Sequence, residues 1–284
     1  MKITVGGSDV GVVVEHRVAE VEGCRIGYLR AGDGPPLLLL HGAWSDGREW
    51  RLQLEALCDE FTVVAWDAPG CGRSSDPPED FSIADYADAV AGLIRALDLA
   101  PTHLVGLSFG GGLAIEVAHR HPEIIRSLVL ASAYAGWAGS LPRDVVEARV
   151  AKVMAEADQP PATWIGSYLP GFFATDVSPA LVEEMLHIMG DVRPEGIKPM
   201  INAFAAADLR GVLAEITAPT LLLYGQRDER APLPVAEALN RGIPGSELVV
   251  VPGVGHVLNI EAADAFNAEV RRFLHAQPTG PTPG

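Results

Sequence analysis

No stretch of this 284-residue chain approaches the ~18 consecutive apolar residues that a membrane-crossing helix requires. Positive charge is scarce: 21 Lys and Arg stand against 37 Asp and Glu, a formal net charge of −16. No Lys/Arg cluster interrupts the acidic excess, so a phosphate backbone or an anionic membrane is excluded as an expected partner. The three cysteines, Cys24, Cys58 and Cys71, are too few and too far apart for a disulfide framework. Without a C-x-x-C pair they suggest no zinc site either, and they read as thiols of a reducing compartment. A basic N-terminal region leading into roughly 7–15 apolar residues is also missing, so no signal peptide is expected and the localisation expected is cytoplasmic. No internal repeat of about 20–50 residues is visible.

What is present is enough hydrophobic residue, 48% of the chain, for a large core. Short runs dense in Val and Leu alternate with helical stretches: Leu37 to His41, Thr62 to Asp67, His103 to Ser108, Ser127 to Ala133, Thr220 to Tyr224 and Glu247 to Val251. Continuous apolar runs of this length suit a parallel sheet covered by helices on both faces, because its strands have no wet side. Ahead of them, Val12 to Glu20 and Cys24 to Arg30 flank a Glu22-Gly23 turn and read as an antiparallel hairpin at the sheet edge. Helices fit Glu49 to Leu57, Ile83 to Leu97, Gly110 to His119, Leu233 to Asn240 and Ala263 to His275, the second opening on a Ser82/Asp85 capping pattern.

The alternation breaks from about Tyr134 to Asp208. Helical text at Arg143 to Glu156, Pro179 to Met189 and Ile197 to Ala207 is separated by Pro- and Gly-bearing breaks such as Arg193-Pro194-Glu195-Gly196. The expected division is an α/β core of residues 1–133 and 209–276, a helical cap of residues 134–208, and a tail of residues 277–284 with nothing to bury. The cap concentrates aromatics and methionines, among them Met185, Met189 and Phe204, and the residues expected to line an apolar substrate pocket are Trp44, Trp137, Trp164, Phe172 and Phe173.

Gly106-Leu107-Ser108-Phe109-Gly110 places a serine at a strand-to-helix corner, with glycines that let the two backbones approach closely. A serine hydroxyl attacks only with a base in reach, and the base needs an orienting acid. Both are sought at strand ends, since open α/β sheets bind ligands outside the carboxyl ends of their strands. His256 follows the last strand through Pro252-Gly253-Val254-Gly255, a loop flexible enough to swing the imidazole over Ser108. Asp228 follows the preceding strand, with neighbouring Glu229 as the alternative orienter. His119 and His121 suit a helix C-terminus, whereas His16, His103, His187 and His275 read as surface groups. Asp67 reads as an acid that fixes the Pro69-Gly70-Cys71-Gly72 turn. An oxyanion hole is expected from the N–H groups of Phe109 and of Ala43, with Trp44 as the alternative to Ala43 and His41 bracing the loop.

On these residues the chain resembles the α/β-hydrolase superfamily over nearly its whole length. Five ordered signatures carry the likeness: His41-Gly42-Ala43-Trp44, Asp67-Ala68-Pro69-Gly70-Cys71-Gly72-Arg73-Ser74, Gly106 to Gly110, Tyr224-Gly225-Gln226-Arg227-Asp228 and Gly253-Val254-Gly255-His256. It looks most like capped esterases and lactonases of the 3-oxoadipate enol-lactonase type and the cofactor-free haloperoxidase or perhydrolase group. The resemblance implies an eight-stranded, mostly parallel sheet with its second strand antiparallel, a helical cap inserted after the sixth strand, and no metal or organic cofactor. Ser108 argues against the dehalogenases and epoxide hydrolases of this fold, which carry Asp at the nucleophile position. The expected activity is hydrolysis of a small-molecule ester or lactone through an acyl-enzyme on Ser108, with Asp228 and His256 completing the triad. Hydrolytic C–C cleavage of a ring-cleavage product and a ligand-binding receptor on the same body are the rival readings. A homodimer is left open.

Overall fold

Leu37 to Leu40, Val63 to Trp66 and Leu128 to Ala131 are fully buried, which fixes the middle of the molecule as a sheet covered on both faces. The structure, a computed structural model, describes residues 2–5, 12–175 and 177–277; the expected tail lies outside the described residues from 278 onward. Nine strands form one sheet: β1 (Lys2–Val5), β2 (Val12–Val21), β3 (Cys24–Ala31), β4 (Pro36–Leu40), β5 (Thr62–Trp66), β6 (Thr102–Leu107), β7 (Ile125–Ala131), β8 (Thr220–Gly225) and β9 (Glu247–Val251). Their spatial order is β1-β2-β3-β5-β4-β6-β7-β8-β9. The eight expected strands are all there, and β1 extends the edge by pairing antiparallel with β2. Four residues are too few to show a period, so pairing rather than pattern decides β1. The β2/β3 hairpin turns at Glu22-Gly23 as expected, and β3 runs antiparallel to both its neighbours. From β5 to β9 all pairing is parallel, with Leu38 opposite both Val64 and Leu104.

Six helices serve this sheet: α1 (Arg51–Leu57), α2 (Ile83–Ala96), α3 (Phe109–Arg120), α7 (Leu233–Gly242), α8 (Leu258–Glu261) and α9 (Ala263–His275). The Ser82/Asp85 capping box at α2 is complete: Asp85 N–H donates to Ser82 Oγ at 3.2 Å, and Ser82 N–H donates to Asp85 Oδ2 at 2.8 Å. The chain steps from β4 outward to β5, then reverses past β4 to β6 and β7. Right-handed crossovers in opposite directions put α1 on one face and α2 with α3 on the other. The reversal leaves a crevice at the carboxyl ends of β4 and β6, the place where this sheet type binds ligands.

Between β7 and β8 the chain makes a helical insertion: α4 (Arg143–Glu156), α5 (Pro179–Gly190) and α6 (Pro194–Ala206). The third helix begins three residues before the expected Ile197. Pro194 and Gly196, read as a break, form its first turn, where proline's missing N–H costs nothing. Among the described residues no helix is long and apolar enough to cross a membrane, and none of their His, Cys, Asp and Glu groups is arranged to hold a metal ion.

Candidate active site

Ser108 sits between β6 and α3 with φ 54° and ψ −110°, a strained conformation that a non-glycine residue adopts only where its surroundings enforce it. Two close approaches do the enforcing. A Cβ on Gly106 would lie 2.1 Å from Gly110 O, and one on Gly110 would lie 2.2 Å from Leu40 O, so only glycine fits at either place. Ser108 N–H donates to Ala131 O at 2.9 Å, and its carbonyl accepts the N–H groups of Gly111 and Gly112.

Asp228 and His256 meet in the interior. Nδ1 of His256 lies 2.9 Å from Asp228 Oδ2 and 3.1 Å from Oδ1, with the two side chains 5% and 0% exposed. The carboxylate claims the Nδ1 proton, which leaves Nε2 with its lone pair free to take another. Asp228 Oδ1 also accepts the N–H groups of Arg230 and Ala231, both at 2.9 Å. Burial pushes the Asp228 carboxyl up, but the imidazole, the Ala231 N–H and the Ser132 hydroxyl outweigh it and hold the group below its ordinary value. Glu229 is exposed, and the carboxylate beside the His256 imidazole is that of Asp228.

The loop that carries His256 is not free to swing, contrary to the expectation from its glycines. His256 N–H and Val257 N–H both donate to Phe172 O, at 2.9 and 3.2 Å, and Ser132 Oγ donates to His256 O at 2.9 Å. Glu261 fixes the same region, accepting Gly255 N–H at 2.7 Å and the N–H groups of Ala174 and Thr175. Ser132 escaped the sequence reading: it ends an apolar strand, and nothing in its neighbours marks the positive φ of 44° that turns it toward the imidazole loop.

His41 braces its loop as expected. Its Nε2 accepts Ala68 N–H at 3.0 Å, so Nδ1 carries the proton and donates to Gly42 O at 2.7 Å. Full burial lowers its pKa, which keeps the ring neutral. Gly42 N–H donates to Glu49 Oε2 at 2.9 Å, an acid that the sequence offered only as the start of a helix. Ala43 N–H takes part in no hydrogen bond seen among the described residues. Phe109 is the first residue of α3, so its N–H has no partner inside the helix. Asp67 fixes its turn as expected, accepting Gly47 N–H and Arg73 N–H at 2.9 Å each, and burial pushes its carboxyl up to about 6. His119 and His121 sit at the end of α3, but His103, expected at the surface, is buried in β6 against Ser127 Oγ at 2.7 Å.

A narrow cavity joins these groups, lined by Ser108, His256, Gly42, Ala43, Phe109 and Glu49 from the core and by Trp137, Arg149, Phe172, Met185, Met189 and Phe204 from the insertion. Of the five expected pocket aromatics, Trp44, Trp137 and Phe172 line it. Trp164 and Phe173 do not: Trp164 packs on Tyr168 one layer further out, its Nε1 donating to Gln159 O, and Phe173 is only partly buried beside Pro170. Two arginines in the lining, Arg149 and Arg230, were missed, because no spacing rule distinguishes them from surface charge.

The family model described as "Alpha/beta hydrolase family" matches residues 37–269. The chain belongs to this family. Among solved structures, an esterase from Thermogutta terrifontis superposes with a TM-score of 0.84 at 27% identity, over 92% of this chain and 98% of the other. The enol-lactonase from Burkholderia xenovorans LB400 also gives 0.84 at 27% identity, over 91% of this chain and all of that one. Among curated sequences, the dihydrolipoyllysine-residue acetyltransferase component of the acetoin cleaving system of Pseudomonas putida is 30% identical over 96% of this chain and 72% of its own length.

Proposed function

We propose that the protein hydrolyses carboxylic esters or lactones by acyl transfer through Ser108. His256 Nε2 takes the hydroxyl proton as the oxygen attacks the carbonyl carbon, and the imidazolium then gives that proton to the leaving alkoxide. Asp228 holds the imidazole in the needed tautomer and compensates its charge. The N–H groups of Ala43 and Phe109 receive the oxyanion, each donor contributing roughly 3–4 kcal/mol to the barrier reduction. Water, activated by the same imidazole, releases the acid. The helical insertion, residues 134–208, acts as the cap that excludes bulk water during the first step. The three free cysteines support a reducing, cytoplasmic setting.

The observation that carries this reading is one cavity lined by both Ser108 and His256, with the imidazole fixed 2.9 Å from a buried carboxylate. The esterase and enol-lactonase likenesses support the same class. Ser108→Ala is expected to lower kcat for p-nitrophenyl butyrate by about 10⁴-fold or more, and a fluorophosphonate probe is expected to add to Ser108 and to no other serine. A variant that keeps wild-type turnover overturns the reading. Assaying a vinylogous diketone beside the ester separates this activity from C–C cleavage by the same three groups.

A further inference from the structure

Arg230 is half-buried in the cavity wall, two residues beyond Asp228, and its Nε has no hydrogen-bond partner among the described residues. Among the described residues its side chain donates one hydrogen bond, from an Nη to Tyr168 O at 3.3 Å. Arg149, reaching in from α4, donates to Tyr134 Oη at 3.4 Å and to Arg230 O at 3.2 Å. These contacts are long for charged donors, which bind oxygen at about 2.7–2.9 Å when well satisfied. Neither guanidinium forms an ion pair with a carboxylate among the described residues. The nearby acid Glu156 is engaged by Tyr168 Oη at 2.7 Å, and Asp228 by the imidazole and two backbone N–H groups. Each cation lies over an aromatic face: Arg230 is 4.3 Å from the centre of the Phe172 ring, and Arg149 is 5.4 Å from that of Trp137.

Two cations without counter-ions in a partly dry wall are costly to hold there, and burial lowers the pKa of Arg230 accordingly. A guanidinium fork has the geometry to take a carboxylate on two parallel N–H bonds. Phe172 places this wall beside the reacting centre, since its ring also lies nearly parallel to the His256 imidazole, with centroids 6.3 Å apart. We propose that Arg149 and Arg230 form a carboxylate subsite, so that the preferred substrate is an ester or lactone bearing a free carboxylate a short spacer away from the scissile carbonyl. This rests on the acyl-transfer reading of the same cavity. The long-range field of a −16 chain opposes an anion, but that field is screened beyond about 8 Å, whereas the two guanidiniums act at contact.

The test compares mono-p-nitrophenyl glutarate, which carries the carboxylate, with p-nitrophenyl 5-methylhexanoate, its neutral isostere, after subtraction of spontaneous hydrolysis. The wild-type enzyme is expected to favour the anionic ester by roughly tenfold or more in kcat/KM. Arg149→Met and Arg230→Met are each expected to lower that ratio by roughly tenfold, and Arg149→Lys to restore part of it. A merely structural role would shift the melting temperature and leave the ratio alone. Turnover of the neutral ester with no preference for the anion, or a ratio unmoved in both variants, overturns the subsite and leaves the hydrolase standing. If neither ester is cleaved, the hydrolase reading fails, and calorimetric titration with glutarate decides the subsite. Binding by the wild type that disappears in Arg149→Met supports it; no binding overturns it.

Discussion

A carboxyl group buried at the cavity wall, with the Gly42 N–H as its donor, is stabilised in its neutral form. Burial pushes Glu49 from its ordinary 4.5 up to about 7, against the opposing pull of that N–H. Between those two values the folded state holds more protons than the unfolded chain, so stability falls as pH rises from about 4.5 to about 7. The full span corresponds to about 3 kcal/mol. Glu49→Gln keeps an oxygen for Gly42 and loses the titration. Urea unfolding at pH 5 and pH 8 is therefore expected to show the variant gaining on the wild type by about 2–3 kcal/mol between the two pH values. A gap that stays constant with pH would mean that Glu49 is ionised in the folded protein. Glu49 also marks the boundary of what the sequence discloses at this scale. Ser108, Asp228 and His256 were legible because strand ends and their glycines announce themselves in one dimension. Glu49, Arg149 and Arg230 face the cavity, and Ser132 holds the His256 backbone, through turns and packing that no local pattern encodes.

Helix α6 docks on the core through two glycines. A Cβ on Gly196 would stand 2.0 Å from Gly70 O, and one on Gly70 would stand 2.3 Å from Gly196 Cα. Alanine in a helix is ordinarily better than glycine by up to about 1 kcal/mol. Here the sign inverts, because backbone atoms cannot yield as a side-chain tip can. Gly196→Ala is expected to lower the melting temperature by several degrees, and to raise KM because Phe204, on the same helix, lines the cavity. Gly190, at the end of α5 with open space around it, is the control: Gly190→Ala is expected to be neutral or to stabilise by up to about 1 kcal/mol. Equal effects at the two sites would overturn the docking argument. Element existence was read well from the sequence for the same reason that this contact was not. Apolar runs in β4 to β9 and the capping pattern of α2 are local, whereas β1 and the true start of α6 depend on a neighbour strand and on a core loop.

Over the whole molecule, charge acts in two opposed ways. A net charge of −16 repels itself throughout the fold. Across the seam between insertion and core, however, opposite charges meet: Arg51 holds both oxygens of Glu184 at 2.6 and 2.8 Å, Arg48 reaches Asp191 at 2.7 Å, and Arg193 reaches Asp76 at 2.7 Å and also donates to Gly72 O and Ser74 O. The six side chains are roughly one-third to one-half exposed, so each pair is worth about 1 kcal/mol at most and is open to screening. Beneath them, Met185, Ile188 and Met189 of α5 are buried, and their apolar area does not depend on salt in the same way. Raising ionic strength from about 20 mM to about 500 mM shrinks the Debye length several-fold. Global repulsion is then relieved and the melting temperature is expected to rise, while amide exchange in α5 is expected to accelerate as the seam pairs weaken. The Arg51→Ala protein should show faster α5 exchange at low salt and little further change on adding salt. If α5 exchange slows with salt in step with the rising melting temperature, apolar burial alone holds the insertion down and the ion pairs across the seam are incidental.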